Sequence, residues 1–247
     1  MSVQCESNIY SELFLSERKK IAVLIDPDKH TSDSIKYLIN ASDKAAVDFF
    51  MIGSSLLLNA IDITICEIKK LTSTPLVLFP GNLLQLSDKV DAMLLLSLIS
   101  GRNPELLIGN HVISAPIIKK TGLTAISTGY MLIGSGNITS VEYMSNTVPI
   151  PRGKTDIAVA TAMAGELIGM KLIYLDAGSG AEEPVPSAMI STVKSNLSIP
   201  LIIGGGLKTK QQITNACSAG ADILVVGNVL EDEQNIISEF AQIVHNF

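Results

Sequence analysis

Residues 201–228 read LIIGGGLKTKQQITNACSAGADILVVGN, and the order of events in this stretch decides the fold. A short apolar run, Leu201–Ile203, stops at Gly204, Gly205 and Gly206. Thr209 and Gln212 then stand at the spacing of a capping box, ahead of a helical stretch from Ile213 to Ala219. Gly220 ends that helix, a second apolar run follows at Ile223–Val226, and Gly227-Asn228 closes it. Neither run alternates polar with apolar residues, which is the pattern of parallel strands covered on both faces. The stretch is one strand–helix–strand unit with glycine after each strand.

The same unit recurs toward the N-terminus. Apolar runs stand at Ile21–Ile25, Phe49–Ile52, Leu76–Phe79, Ala92–Leu98, Ala125–Ile133 and Leu172–Leu175, which brings the count to eight. Helical segments lie between them. Thr31 and Ser32 are predicted to cap a helix running toward Ala46, Thr155 to cap Asp156–Gly169, and Glu231 to begin a closing helix. Eight alternations in 247 residues match a (β/α)8, or TIM, barrel of about 250 residues better than an open doubly wound sheet. A single domain spanning 1–247 follows. Pro80–Asp91 is too short for a full crossover helix, so one outer helix is expected to be reduced or missing after strand 3.

The composition narrows the class. Apolar residues make up 47% and charged residues 17%, which suits a large core and excludes disorder. The formal charge of −6 carries no basic nucleic-acid footprint, yet leaves anion binding open because backbone N–H groups can hold phosphate. Cys5, Cys66 and Cys217 have no metal or redox spacing and read as reduced thiols of a cytoplasmic protein. Met1–Tyr10 is polar with no apolar signal core, and the run near Ala92–Ile99 is far shorter than the roughly 20 residues a spanning helix needs. The mean hydropathy of +0.38 fits a buried barrel, an oligomer interface or a groove for an apolar substrate.

Barrel active sites form at the C-terminal ends of the strands, with phosphate commonly held after strands 7 and 8. Gly204–Gly206 and Gly227-Asn228 occupy those two places and let the backbone approach an anion. Strand 1 ends in Asp26-Pro27-Asp28-Lys29-His30. Asp26 suits a Mg²⁺ ion, and Asp26 and Asp28 equally suit a capped turn. Strand 2 ends in Gly53-Ser54-Ser55, whose hydroxyls can meet the same metal or phosphate or cap the next helix. Strand 6 ends in Tyr174-Leu175-Asp176-Ala177-Gly178-Ser179-Gly180. There Asp176 can take a proton from a substrate hydroxyl with Tyr174 orienting it, or serve as a structural turn residue. His30, His111 and His245 are scattered and form no triad, and Lys119-Lys120 reads as a solvated helix end.

The strand-end segments together resemble a known family. They are LIDPDK (24–29), GSS (53–55), LFPGN (78–82), SGRNPELLIGNH (100–111), TGYMLI (128–133), the long run 140–181 that ends in LIYLDAGSGA, IIGGGLKT (202–209) and GADILVVGN (220–228). They are similar to the geranylgeranylglyceryl phosphate synthases and their relatives, the heptaprenylglyceryl phosphate synthases. The resemblance implies a Mg²⁺-dependent prenyltransferase that joins sn-glycerol 1-phosphate to a prenyl diphosphate, geranylgeranyl diphosphate first among them, through an ether bond. It places the glycerol phosphate on Tyr174, Leu175, Asp176, Ala177, Gly178, Ser179, Gly180, Gly205, Gly206, Gly227 and Asn228. It puts the metal on Asp26 and Ser55, and catalysis on Asp176 and Tyr174. Many members carry Glu where this chain has Asp176, a carboxylate one methylene longer. The small residues Ala158, Ala160, Ala162, Ala164 and Gly165 suit either a prenyl groove or helix and oligomer packing. A homo-oligomer and transient membrane contact are further expectations. The competing readings are a sugar-phosphate isomerase on the same barrel, which needs no prenyl diphosphate, and a non-catalytic phosphometabolite-binding protein.

Overall fold

The computed structural model describes residues 6–232 and 235–247. Eight parallel strands close into a barrel in sequence order: β1 Lys20–Ile25, β2 Phe49–Ile52, β3 Leu76–Leu78, β4 Ala92–Leu98, β5 Ala125–Leu132, β6 Leu172–Asp176, β7 Leu201–Gly204 and β8 Ile223–Val226. Each apolar run falls on one strand, and no boundary differs by more than one residue.

The continuous runs follow from burial on two sides. On β1, Ile21, Val23 and Ile25 pack outward under the helices, while Ala22 belongs to the barrel interior. On β2 the parity is reversed, with Phe50 and Ile52 outward and Phe49 and Met51 inward. Each such side chain taken from water contributes about 1.5–3 kcal/mol.

The helices are α1 Glu6–Phe14, α2 Ser32–Lys44, α3 Ile61–Leu71, α4 Asn110–Thr121, α5 Ser140–Ser145, α6 Thr155–Leu167, α7 Ser187–Lys194, α8 Lys210–Ser218, α9 Val229–Asp232 and α10 Ile236–His245. Those on the barrel bury one stripe at helical spacing: Ile35, Leu38, Ile39 and Ser42 on α2, and Ile237, Phe240, Ala241 and Val244 on α10. Thr31 caps α2 through the Ser34 amide, and Thr209 with Gln212 forms the full capping box of α8. The segment between β3 and β4 holds only a 3₁₀ turn, Leu83–Gln85, so the outer helix is missing there as expected.

Three details differ from the sequence reading. Thr155 is the first residue of α6 rather than its cap; Lys154 stands at the cap without a side-chain bond. The closing helix is divided into α9 and α10, with residues 233 and 234, like Cys5, outside the described residues. Helix α1, unmarked by the polar N-terminal sequence, seats Leu13 and Phe14 in the interior cluster. The Phe14 ring lies tilted against Phe49, the first residue of β2, with centroids 5.5 Å apart, so α1 covers the barrel end opposite the strand C-termini.

That same end is fastened by three aspartates, each directly preceding a strand. Asp48 accepts from the Ile21 amide, Asp91 from Leu76 and Asp222 from Leu201. Each carboxylate thus ties a neighbouring strand's first N–H groups, and each also holds a cation: Arg18, Lys69 and Lys194 respectively. Cys217 is buried on α8, and burial pushes its thiol up to about 11, which keeps it protonated.

Candidate active site

Period two along a strand sets the site. Ile173 and Leu175 of β6 point outward into the helical layer, so Tyr174 and Asp176 face the barrel interior. On β5 the interior parity includes Tyr130. The β5–β6 register pairs Tyr130 with Tyr174 and Leu132 with Asp176. Tyr130 therefore reaches along the barrel axis, and its hydroxyl donates to Asp176 Oδ2 at 2.6 Å. The other oxygen, Oδ1, accepts from the Gly178 amide at 2.7 Å.

Asp176 is 7% exposed. Burial pushes its carboxyl above the usual carboxylate range, and the Tyr130 and Gly178 hydrogen bonds act against that rise. Tyr130 and Tyr174 are held well above the usual phenol value, first by burial and then by the Asp176 charge. Both phenols stay protonated, and the Tyr130 hydroxyl acts as the donor to Asp176. Their rings form a trio with Phe79: Phe79 stacks on Tyr174 at 5.4 Å, and Tyr130 meets both edge-on at 5.6 and 5.4 Å.

The glycine loop of β7 closes against this group. A Cβ on Gly204 would collide with the Tyr174 hydroxyl. Gly205, at φ +76°, lies so close that a Cβ would stand 2.5 Å from the Gly178 nitrogen and 2.6 Å from Asp176 Oδ1. Ser179 Oγ donates to Asn228 Oδ1 at 2.9 Å, joining the loops after β6 and β8. Arg152 pairs with Glu183 and donates to the Pro184 carbonyl, joining the loops after β5 and β6.

A cavity of about 390 Å³ opens at the strand C-termini. Tyr174, Asp176, Ser179, Gly180, Gly205, Gly206, Gly227 and Asn228 all line it, as do Asp26 and Ser55. Leu175, Ala177 and Gly178 do not: the first two are buried in the outer layer, and Gly178 turns its amide onto Asp176 behind the wall. Asp26 caps the turn Pro27–Lys29 through the Asp28 amide, and its second oxygen accepts from Ser54 Oγ at 2.8 Å. Ser54 is thus the serine bonded to Asp26, with Ser55 beside it on the wall.

The cavity has an apolar wing. β3 and β4 share only the pairs Val77–Ala92 and Leu78–Met93, while β4 continues to Leu98. With no helix after β3, Met93 and Leu95 on the outer face of β4 line the same cavity as Leu96 and Leu98 on its inner face. Leu83, Leu86 and Met144 add to this side. His111 of α4 lies here as well, with Nε2 3.1 Å from Ser97 Oγ. Its pKa is lowered by burial, with the Leu96 backbone acting the other way. Helix α6 plays no part in the cavity lining: Ala158, Ala162 and Gly165 are buried, Gly165 against Ile99 and Ile173. The buried three therefore serve helix packing, because they let α6 lie close to the strands, whereas Ala160 and Ala164 are exposed. Lys119 and Lys120 are exposed at the end of α4.

Tyr130 and Phe79 escaped the sequence reading. Both lie inside quoted segments, TGYMLI and LFPGN, but their meeting with Asp176 and Tyr174 depends on strand register.

Comparison with known proteins agrees with the barrel fold. The model of the PcrB family matches residues 14–244. A geranylgeranylglyceryl phosphate synthase from Chitinophaga pinensis is 52% identical over 92% of this chain and 90% of its own. One from Spirosoma linguale is 47% identical over 94% of both. Among solved structures, (S)-3-O-geranylgeranylglyceryl phosphate synthase from Thermoplasma acidophilum, in complex with its substrate sn-glycerol-1-phosphate, superposes with a TM-score of 0.90. It covers 100% of both chains at 27% identity.

Proposed function

Because the chain belongs to the PcrB family, we propose that it transfers a prenyl group from a prenyl diphosphate to sn-glycerol 1-phosphate. The observation that carries this reading is a buried carboxylate, Asp176, at the junction of a glycine-lined head and an apolar wing within one cavity. The names of the relatives and the glycerol-phosphate complex of the Thermoplasma enzyme support both the substrate and geranylgeranyl diphosphate as the donor.

The chemistry follows from the placement. Gly205, Gly206 and Asn228 hold the phosphate of sn-glycerol 1-phosphate. Asp176 accepts the proton of its attacking hydroxyl, and that oxygen bonds to the allylic carbon as the carbon–diphosphate bond breaks. The apolar wing takes the prenyl chain and keeps water from the allylic carbon. Asp26, Ser54 and Ser55 offer one carboxylate and two hydroxyls on one wall. Such a sparse, all-oxygen set suits Mg²⁺, which binds through one or two carboxylates together with substrate phosphates. Among the described residues no group of three or more His, Cys, Asp or Glu side chains is placed to hold a metal ion. The ion when bound supplies charge neutralisation of the leaving group.

Two surfaces belong to this reading. Leu58, Leu84, Ile138 and Val148, 79–94% exposed, stand on the loops after β2, β3 and β5 at the cavity end of the barrel, and they meet the lipid surface from which an amphiphilic substrate arrives. Ile108, Val112, Ile113 and Ile117 near and on α4, with Ile157 and Met163 on α6, form exposed apolar faces that suit a homo-oligomer contact. Among the described residues no helix is long and apolar enough to cross a membrane.

Incubation with sn-glycerol 1-phosphate, Mg²⁺ and prenyl diphosphates of graded length, read by mass spectrometry, tests the reaction. An ether product is expected, with a preferred chain length. Folded protein that yields none at any length, beside an active relative, overturns it.

A further inference from the structure

Asp176 has two rotatable bonds and a charge that its surroundings disfavour, so something must hold it ready. The structure offers two donors, one to each oxygen: the Gly178 amide on Oδ1 and the Tyr130 hydroxyl on Oδ2. The Tyr130 ring is itself fixed edge-on between Phe79 and Tyr174 and is 5% exposed. We infer that Tyr130 is a positioning residue for the proton acceptor: its hydroxyl sets the Asp176 carboxylate in place, leaving the remaining lone pairs to the glycerol hydroxyl.

The inference rests on the prenyl-transfer reading for its consequence, but the contact stands by itself. Each carboxylate oxygen has two acceptor positions, so one donor on each leaves room for substrate. The other groups facing Asp176 do not replace Tyr130. Tyr174 precedes it on β6, β7 brings only glycine backbone, and the loop after β6 brings the Gly178 amide. The ionisable side chains elsewhere on the cavity wall are Asp26, Lys29, Lys208 and His111. None of these acts on the Asp176 titration, whereas the Tyr130 hydrogen bond lowers it against the rise from burial.

Tyr130→Phe keeps the ring and its contacts and removes only the hydroxyl. Two readouts follow. The Asp176 ¹³Cγ resonance, titrated by NMR without substrate, is expected to move its midpoint to higher pH. In turnover, the acid limb of the kcat/KM profile is expected to move the same way, kcat to fall about tenfold or more, and KM for sn-glycerol 1-phosphate to stay within about threefold. An unmoved midpoint with an unmoved acid limb overturns the inference. A shifted midpoint in a protein whose wild type makes no ether supports the contact while refuting prenyl transfer, so the two failures are distinguishable. If Tyr130→Phe does not fold, 3-fluorotyrosine at position 130 provides a stronger donor. It is expected to lower the midpoint, and no change there overturns the inference equally.

Discussion

Gly205→Ala separates backbone strain from crowding at the site. Gly205 has φ +76°, and an added Cβ would lie 2.5 Å from the Gly178 nitrogen, 2.6 Å from Asp176 Oδ1 and 2.8 Å from the Ala177 nitrogen. The left-handed backbone costs a non-glycine residue about 1–2 kcal/mol. Overpacking against backbone adds about 1–3 kcal/mol, because the loop after β6 must retreat by about 1 Å to restore a normal separation. The sum, about 2–5 kcal/mol, lowers Tm by roughly 5–15 °C in a chain of this size. Misplacing the Asp176 carboxylate by about 1 Å costs on the order of a hundredfold in kcat. The control is Gly122→Ala, since Gly122 ends α4 at φ +73° with nothing within 4 Å of an added Cβ. It keeps only the backbone cost and is expected to lose about 2–5 °C with full activity. Melting curves and initial rates of the two variants provide the comparison. Equal Tm losses, or a Gly205→Ala enzyme with normal kcat, would refute the reasoning that the glycine exists to let this loop approach Asp176.

Other variants test other parts of the structure. Asp176→Asn is expected to abolish turnover yet raise Tm at neutral pH: the native state holds this proton more tightly than the unfolded chain does, so stability falls as pH rises from the unfolded carboxyl value through the higher native one, and Asn removes that dependence. Lower Tm for Asp176→Asn at pH 7 would contradict this sign. Asp222→Ala orphans the Leu201 amide and frees Lys194, at a cost of about 1–4 kcal/mol. Because Asp222 lies at the opposite barrel end from the cavity, kcat is expected to hold, and urea unfolding with unchanged stability would reject the strand-tying role. Leu58→Glu with Leu84→Glu should leave Tm within about 2 °C and weaken sedimentation with phospholipid vesicles about tenfold or more. Unaltered vesicle binding would remove those loops from the membrane face.

The fold was legible because burial on two faces leaves a mark along the chain: Phe49–Ile52 is apolar at every position since each side chain meets either the interior or a helix. The glycines at the end of β7 marked the close meeting of strand-end loops for a similar reason, as close backbone approach excludes side chains. What escaped depends on distance in sequence. Tyr130 meets Asp176 only through the register of β5 on β6, and Phe79 meets Tyr174 across strands that are not neighbours. Helix α1 was hidden because its apolar residues, Ile9, Tyr10, Leu13 and Phe14, are few and stand among polar ones. Ser54 and Ser55 are chemically equivalent in sequence, and only the geometry selects Ser54 as the partner of Asp26.

The thin seam between β3 and β4 has a consequence in time as well as in space. Two register pairs and a 3₁₀ turn hold that side of the barrel, whereas β4 and β5 share a ladder from Met93–Ala125 to Leu98–Tyr130. Opening free energy is not uniform across a fold, and it is lowest where a segment has few ladder bonds and little apolar cover. The amides of residues 76–91 are therefore expected to exchange with deuterium ahead of those of β5 and β6. A barrel that breathes along one stave can release a long hydrophobic product sideways while its remaining ladders stay closed.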